Sequence, residues 1–398
     1  MAADANATEV TRKNKAPMDV KEYIPTFRYP KDSDTVEFVR ATREDAEAIN
    51  ELFNRAFDQR RSLAHYLWKY WENPAGPPFG ILAREKETGK YLSTSTGVRK
   101  QVWVDGREVP GMLMCETSSD PDARGGGRLF KSVMQGFGVA VNDDQGIVWS
   151  FGGQSSDEAI KIGERWFGFR VVLELLPWEF RLSLKPSLTR RFGGAAGALS
   201  ALADPLMRGR WTRPGGSWSF EELERFGPEF DGLWERHRDR HRVVFWRDAA
   251  TLNWRYVDIP GLSHRILAAR GADGTLEGYA VWREWEDGGT RIATVLDLWC
   301  GGDEALIAAL LDQARRRAAA AGCMFLRFAV PAGSVEEKAF QRFPEARISP
   351  HERVDRVICT PMPGSTPHEQ GEDAYRVLEA VVDGSNWFYT QGDCDFLD

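Results

Sequence analysis

The pattern of strands and helices in this chain repeats itself. In the first half, three strand-like runs (FGILARE, YLSTSTGVRKQVWVDG and VPGMLMCETSS) are followed by a helix-period run, LFKSVMQGFGVAV. A strand, GIVWSFGG, a helix, DEAIKIGERWF, and a last strand pair, FRVVLELLPWEFRLSL, then complete the unit. About 180 residues later the order returns. RILAARG, EGYAVWREWE and TRIATVLDLWC precede the helix EALIAALLDQARRRAAAAG, the strand MFLRFAV, the helix SVEEKAFQRF and a closing pair, DRVICTPM and NWFYTQGDCDFLD. A recurrence at that spacing predicts two copies of one fold. Turn-type sequences ETGK and DGRE between consecutive strands predict hairpins, hence a largely antiparallel sheet with helices on its faces. The class is α+β rather than doubly wound.

The 398 residues have room for two such units. Residues 1–35 are polar, carry Pro17, Pro25 and Pro30, and read as a flexible N-terminal arm. The first unit is expected over 36–182. It opens with the strand VEFVRAT, an N-cap at Thr42 with Asp45 three residues on, and the helices AEAINELFNRAF and LAHYLWKYWEN. Residues 183–215 read as a linker, and 216–398 as the second unit, beginning with SFEELERFGPEFDGLWERHRDR as a helix. The linker holds Lys185, Arg190, Arg191, Arg208, Arg210 and Arg213 against Asp204 alone. It is either a solvated connector or a basic patch for a phosphate-bearing ligand or a membrane surface.

The net charge of −7 excludes a general nucleic-acid binder, and DNA is not an expected partner. No apolar run is long enough to span a bilayer, and the N-terminal sequence lacks the apolar core of a secretory signal. Five cysteines without a Cys-x-x-Cys pair predict reduced thiols and a cytoplasmic protein.

Chemistry concentrates in residues 112–134. Arg124-Gly125-Gly126-Gly127-Arg128 lies between a predicted strand and a helix opening near Leu129. Glycines allow positive φ and close approach. Their N–H groups, with the free N–H groups of the helix start, make a donor set suited to a pyrophosphate. Glycine-rich strand-to-helix turns are also common without any ligand. Neither the dinucleotide pattern G-x-G-x-x-G nor the P-loop pattern is present.

PDARGGG resembles the acyl-CoA pyrophosphate loop of the GNAT superfamily of N-acetyltransferases, Arg/Gln-x-x-Gly-x-Gly/Ala after the β4 strand. Arg124 and Gly127 match, and Leu129 departs from the last position. SFGGQSSDEAIKIGERWFGFR is similar to the family's second signature, with Gly168-Phe169 starting the next strand; its Pro-Asn and helix tyrosine are missing. Residues 216–398 resemble, more weakly, the second half of two-domain bacterial members through TLNWRY and NWFYTQGDCDF. The resemblance implies two tandem GNAT-like domains, each a mostly antiparallel mixed sheet with helices on both faces. It also implies an acetyl-CoA or other acyl-CoA co-substrate, no metal, and direct acyl transfer to the amine of a small metabolite or amino sugar. Backbone N–H groups of Thr117, Ser118 and Ser119 would meet the pantetheine and thioester, and Arg124, Gly125, Gly126, Gly127, Arg128 and Leu129 the pyrophosphate. In the second copy no arginine precedes GGDE, and Asp303 and Glu304 would repel a pyrophosphate.

The amine must lose a proton, a task for a carboxylate. Glu116 is the first candidate base, or else a solvent-facing strand glutamate. Asp393 and Asp395, at period 2 in QGDCDF, form a second catalytic pair if the tail folds over the first cleft, and a frayed terminus if it does not. Tyr389 is a weak candidate for the general acid. His237 and His241 sit four apart within ERHRDRHR, a charged helix face with no third metal ligand in view. Cys115 and Cys394 are conceivable thiol nucleophiles or bystanders. The tryptophans fall within strand and helix patterns, as core residues do. Two alternatives stay open. One is a Fem-type aminoacyl-tRNA-dependent transferase, in which the basic linker touches RNA; the other is a non-catalytic CoA-binding protein. A homodimer also stays open.

Overall fold

A computed structural model describes residues 24–123, 127–153, 156–193, 196–366 and 371–394. The first half runs β1 (Val36–Arg40), α1 (Ala46–Phe57), α2 (Leu63–Tyr70), β2 (Phe79–Glu85), β3 (Tyr91–Val104), β4 (Arg107–Ser119), α3 (Arg128–Gln145), β5 (Trp149–Gly152), α4 (Asp157–Trp166) and β6 (Arg170–Arg181). Next come α5 (Lys185–Phe192) and α6 (Ala196–Gly209). The second half runs β7 (Ser219–Leu223), α7 (Glu229–His237), β8 (Val243–Phe245), α8 (Ala249–Tyr256), β9 (Arg265–Arg270), β10 (Leu276–Asp287), β11 (Thr290–Trp299), α9 (Glu304–Ala320), β12 (Phe325–Pro331), α10 (Val335–Gln341), β13 (Ala346–Ile348), β14 (Asp355–Pro361), α11 (Glu372–Val381) and β15 (Trp387–Phe388). Local caps set several helix starts. The Thr42 N–H donates to Asp45 Oδ2 at 2.7 Å, and the His65 N–H to the Ser62 hydroxyl at 3.2 Å.

The halves share one strand plan, joined into a single sheet in the order β1-β2-β3-β4-β5-β14-β6-β12-β11-β10-β9-β7. In each half four antiparallel strands lead to a parallel pair, β4 with β5 and β11 with β12. The last strands are exchanged: β14 lies beside β5, β6 lies beside β12, and the two meet antiparallel at the centre. The exchange lets each half complete the other's sheet and removes the edge that β5 and β12 would otherwise expose. Across the seam, Trp68 on α2 and Trp254 on α8 stack at 5.2 Å. Each indole N–H donates to the other's backbone carbonyl, at 2.7 and 3.0 Å. The reciprocity marks a pseudo-twofold relation between LWKY (67–70) and NWRY (253–256).

Several local expectations change. FRVVLELLPWEFRLSL forms one continuous strand, β6, rather than a pair; Pro177 is held in place by the Ser349 N–H donating to its carbonyl at 2.7 Å. SFEEL is an edge strand against β9, because Gly227-Pro228 delays the helix to Glu229. Residues 24–30 of the expected arm are packed. Ile24 and Phe27 are buried, and the rings of Phe27 and Pro30 press on α3 at Gly138 and Gly136, where a Cβ would meet them at 2.8 Å. Residues 1–23 lie outside the described residues. Most of the basic stretch 183–215 is helical. Its lone acid, Asp204, accepts from the Ser183 hydroxyl at 2.6 Å and the Leu184 N–H at 2.7 Å, tying α6 to the end of β6.

Candidate functional site

β4 pairs with β5 only at Met112↔Ser150 and Leu113↔Phe151, although β4 continues to Ser119. Beyond Leu113 the strands part, while β14 pairs along the opposite edge of β5. The far stretch of β4 therefore has ladder groups on that side that β5 does not use. Here β4 also bulges. Thr94 pairs with Ser118 and Thr96 with Cys115, leaving Glu116 and Thr117 together opposite Ser95. Glu116 takes φ 57°, a left-handed conformation costly for a side chain with a Cβ, of order 1–3 kcal/mol.

The surroundings hold the bulge in that shape. The carboxylate of Glu116 receives both Arg61 and Lys69, and all three side chains are buried, 5%, 6% and 3% exposed. Arg61 is oriented by Asn50 Oδ1 at 2.8 Å and lies 3.9 Å from the Phe53 ring centroid. Burial first, and the negative charge of Glu116 second, push the Tyr66 phenol above its usual range. On the β3 side, Ser93 Oγ donates to the Ser118 carbonyl at 2.9 Å, and the hydroxyls of Ser95 and Thr117 lie 3.2 Å apart. Glu116 is thus a counter-ion to two buried cations, not a solvent-facing glutamate.

A cavity of about 310 Å³ opens beside this stretch, lined by Thr117, Ser118, Ser119, Gly127, Leu129 and Phe130, with Phe57 from α1. Five of the residues expected to touch a coenzyme line one space. Gly127 is the N-cap of α3 at φ 71°, and a Cβ there would meet nothing within 4 Å. The first intrahelical acceptor of α3 is the Gly127 carbonyl, bonded by the Lys131 N–H at 3.0 Å. The N–H groups of Arg128, Leu129 and Phe130 precede it and need partners from outside the helix. An eighteen-residue helix adds a positive dipole end at the same spot. These features fit a pyrophosphate. Arg124, Gly125 and Gly126 lie outside the described residues.

The C-terminal segment reaches the end of β5. The Cβ of Cys394 and the Tyr389 hydroxyl lie 3.2 and 3.4 Å from where a Cβ on Gly153 would stand. Asp393 is buried, accepting from Arg247 Nη2 at 2.7 Å and the Thr390 N–H at 2.8 Å. Arg255, the α8 counterpart of Lys69, donates to the Gly392 carbonyl at 2.9 Å and to the Cys394 carbonyl. Asp297 on β11 accepts from Tyr279 at 2.8 Å and faces the same guanidinium of Arg247. Its carboxyl is pushed up by burial, with Arg247 pulling the other way. Asp395 lies outside the described residues. All five cysteines are free thiols, and no group of three or more candidate metal ligands occurs among the described residues. His237 and His241 serve packing: a Cβ on Gly301 would meet the His237 ring at 2.3 Å, and His241 lies 5.2 Å from the Phe388 ring.

Arg61 and Lys69 escaped the sequence reading. The signal was available for Lys69, because Trp-Lys-Tyr and Trp-Arg-Tyr recur 186 residues apart. Nothing local marks Arg61, whose partner lies fifty-five residues away.

No family model and no curated protein matches this chain. Solved structures do. A GCN5-related N-acetyltransferase from Anabaena variabilis aligns with TM-score 0.58 and 12% identity over 81% of this chain and 72% of that one. A conserved Enterococcus faecalis protein described as a probable N-acyltransferase gives the same score and identity over 82% and 72%. N-myristoyltransferase of Saccharomyces cerevisiae, solved with bound myristoyl-CoA, aligns with TM-score 0.53 and 12% identity over 85% and 86%. The chain has the GNAT fold. No helix among the described residues is long and apolar enough to cross a membrane.

Proposed function

We propose that this protein is an acyl-CoA-dependent N-acyltransferase that moves an acetyl group to the amine of a small metabolite or amino sugar. The observation that carries the reading is the cavity shared by Thr117–Ser119, Gly127 and Leu129 at the mouth of the β4–β5 opening. The N-terminal amides of α3 and the adjoining glycines would hold the pyrophosphate, and the β4 amides the pantetheine. Acyl-CoA would supply the activated thioester. A β4 N–H on the thioester oxygen stabilises the charge that develops there; loss of one such donor elsewhere costs about 3–4 kcal/mol.

The amine's proton goes to a carboxylate, with Glu116, Asp393 and Asp395 as candidates. Amide replacement of each in turn separates them: the base is the residue whose loss abolishes turnover while acetyl-CoA binding and Tm hold. Titration calorimetry with CoA and acetyl-CoA tests the reading as a whole. Heat is expected with both, and none at millimolar ligand overturns it. A second reading, a CoA-binding protein without turnover, is favoured by the engagement of Glu116 and Asp393 with buried cations. Binding without product across a broad amine panel would establish it.

A further inference from the structure

The helices α5 and α6 carry an apolar face that the fold does not cover. Leu202 and Leu206 keep 75% and 73% of their surface in solvent, the most exposed large apolar side chains among the described residues, and Leu199 on the same stripe keeps 40%. Phe192, at the end of α5, is 49% exposed. At positions 199, 202 and 206 the leucines follow helical spacing, so they form one continuous strip along α6. The opposite side is committed: Ser200 and Asp204 are buried, and Asp204 is bonded to residues 183 and 184. Exposed cations flank the strip in sequence, Lys185 and Arg191 on α5 and Arg210 and Arg213 just past α6, and Arg210 lines a groove together with Leu206. They stand in a chain whose net charge is −7, so the cations are gathered here against the overall balance.

We infer that the α5–α6 pair is a docking surface for an anionic lipid bilayer, with Leu199, Leu202 and Leu206 entering the headgroup boundary and the flanking Lys and Arg residues meeting lipid phosphates. Charge complementarity selects this occupant. An apolar strip with a cationic rim, on a helix anchored along its other face, presents itself to a flat surface; a partner that wraps a helix on all sides cannot reach it. Beside the strip a groove of about 620 Å³, lined by Leu206, Met207 and Trp211 with Arg181, Arg210 and Arg347, and with a Glu345 carboxylate already paired to Arg315, offers room for a headgroup. The inference is independent of the transferase reading.

Flotation of the full chain with vesicles of phosphatidylcholine alone, and of phosphatidylcholine mixed with phosphatidylglycerol, tests it. Binding is expected only to the mixed vesicles and is weakened by salt. Leu202→Ser with Leu206→Ser lowers the partition by about tenfold per leucine, and Arg210→Glu with Arg213→Glu by about fivefold per charge lost. All four side chains are exposed or at the groove edge, so the melting temperature checks that the variants fold. Three results would overturn the inference: no binding to mixed vesicles, equal binding to both kinds, or partition unchanged by the leucine pair. So would self-association removed by the leucine changes, or tRNA binding removed by the arginine changes, where vesicle binding is lacking.

Discussion

The two halves place a long helix at the same point, after the strand that begins the parallel pair, and treat its N-terminus in opposite ways. In the first half α3 starts at Gly127, which brings no side chain to the helix amides, and a cavity lies alongside. In the second half α9 starts at Asp303, whose carboxylate accepts from the Ala305 and Leu306 N–H groups at 2.9 and 3.1 Å. Gly301, just before it, is pressed by His237. An acid one residue ahead of the helix supplies internally the anion that the other copy leaves to a ligand. Both copies keep a bulge at the corresponding strand, with Leu296 unpaired between Val281 and Trp282, and both keep a buried carboxylate there. The two halves share the framework, and the residues at the helix starts make one start open and the other capped.

The largest effect tests the symmetry itself. Trp68→Ala and Trp254→Ala should each cost about 3–5 kcal/mol of stability, and the double variant should cost less than the sum, because either single change already removes the ring stacking that the two share. Additive denaturation energies would contradict a shared seam. Next, Glu116→Gln strands Arg61 and Lys69 without their anion and should lower stability by about 3 kcal/mol. An unchanged Tm with collapsed turnover would instead make Glu116 the base.

Acid distinguishes the halves a third way. His241 and His264, both in the second half, are pushed down to about 4, chiefly by burial. A depressed folded-state value means that stability is full above the unfolded value near 6.5 and is lost as pH falls toward 4. Each should remove about 3 kcal/mol over that window. Hydrogen exchange at pH 7 and pH 5 should then show β9–β11 opening before β2–β4, and His264→Gln should flatten the slope.

Writing the second half's acid into the first comes fourth. Gly127→Asp should weaken CoA binding about a hundredfold by calorimetry, equivalent to about 2.7 kcal/mol; tight binding that survives would remove the pyrophosphate from the start of α3. The smallest effect is the reverse exchange. Asp303→Gly should cost only about 0.3 kcal/mol in thermal melts and should create no coenzyme site, because His237 still fills the space at Gly301.

Local order was legible because it is written in local terms. Apolar spacing placed α1 where Ala46–Phe57 lies, although Thr42 caps a short 3-10 turn at 43–45 ahead of it rather than α1 itself, and the alternation in FGILARE marked β2. The glycine before α3 pointed to the open helix start because a positive φ and a missing Cβ are properties of that one residue. The clamp on Glu116 was not legible: Arg61 and Lys69 come to it from another helix region, and an isolated strand glutamate reads as solvent-facing. Asp393 behaved likewise, since a carboxylate near a chain end reads as frayed until Arg247 is brought to it.

The sequence by itself determined two copies of one α+β plan, the turn chemistry of their hairpins and the glycine that leaves one helix start bare, because each depends on residues within a few positions of one another. Tertiary structure alone decided that β6 and β14 trade places, that Trp68 meets Trp254, and that buried cations fasten the carboxylates at both bulges. Those outcomes rest on which distant surfaces can be desolvated together, a condition that no short window of sequence contains.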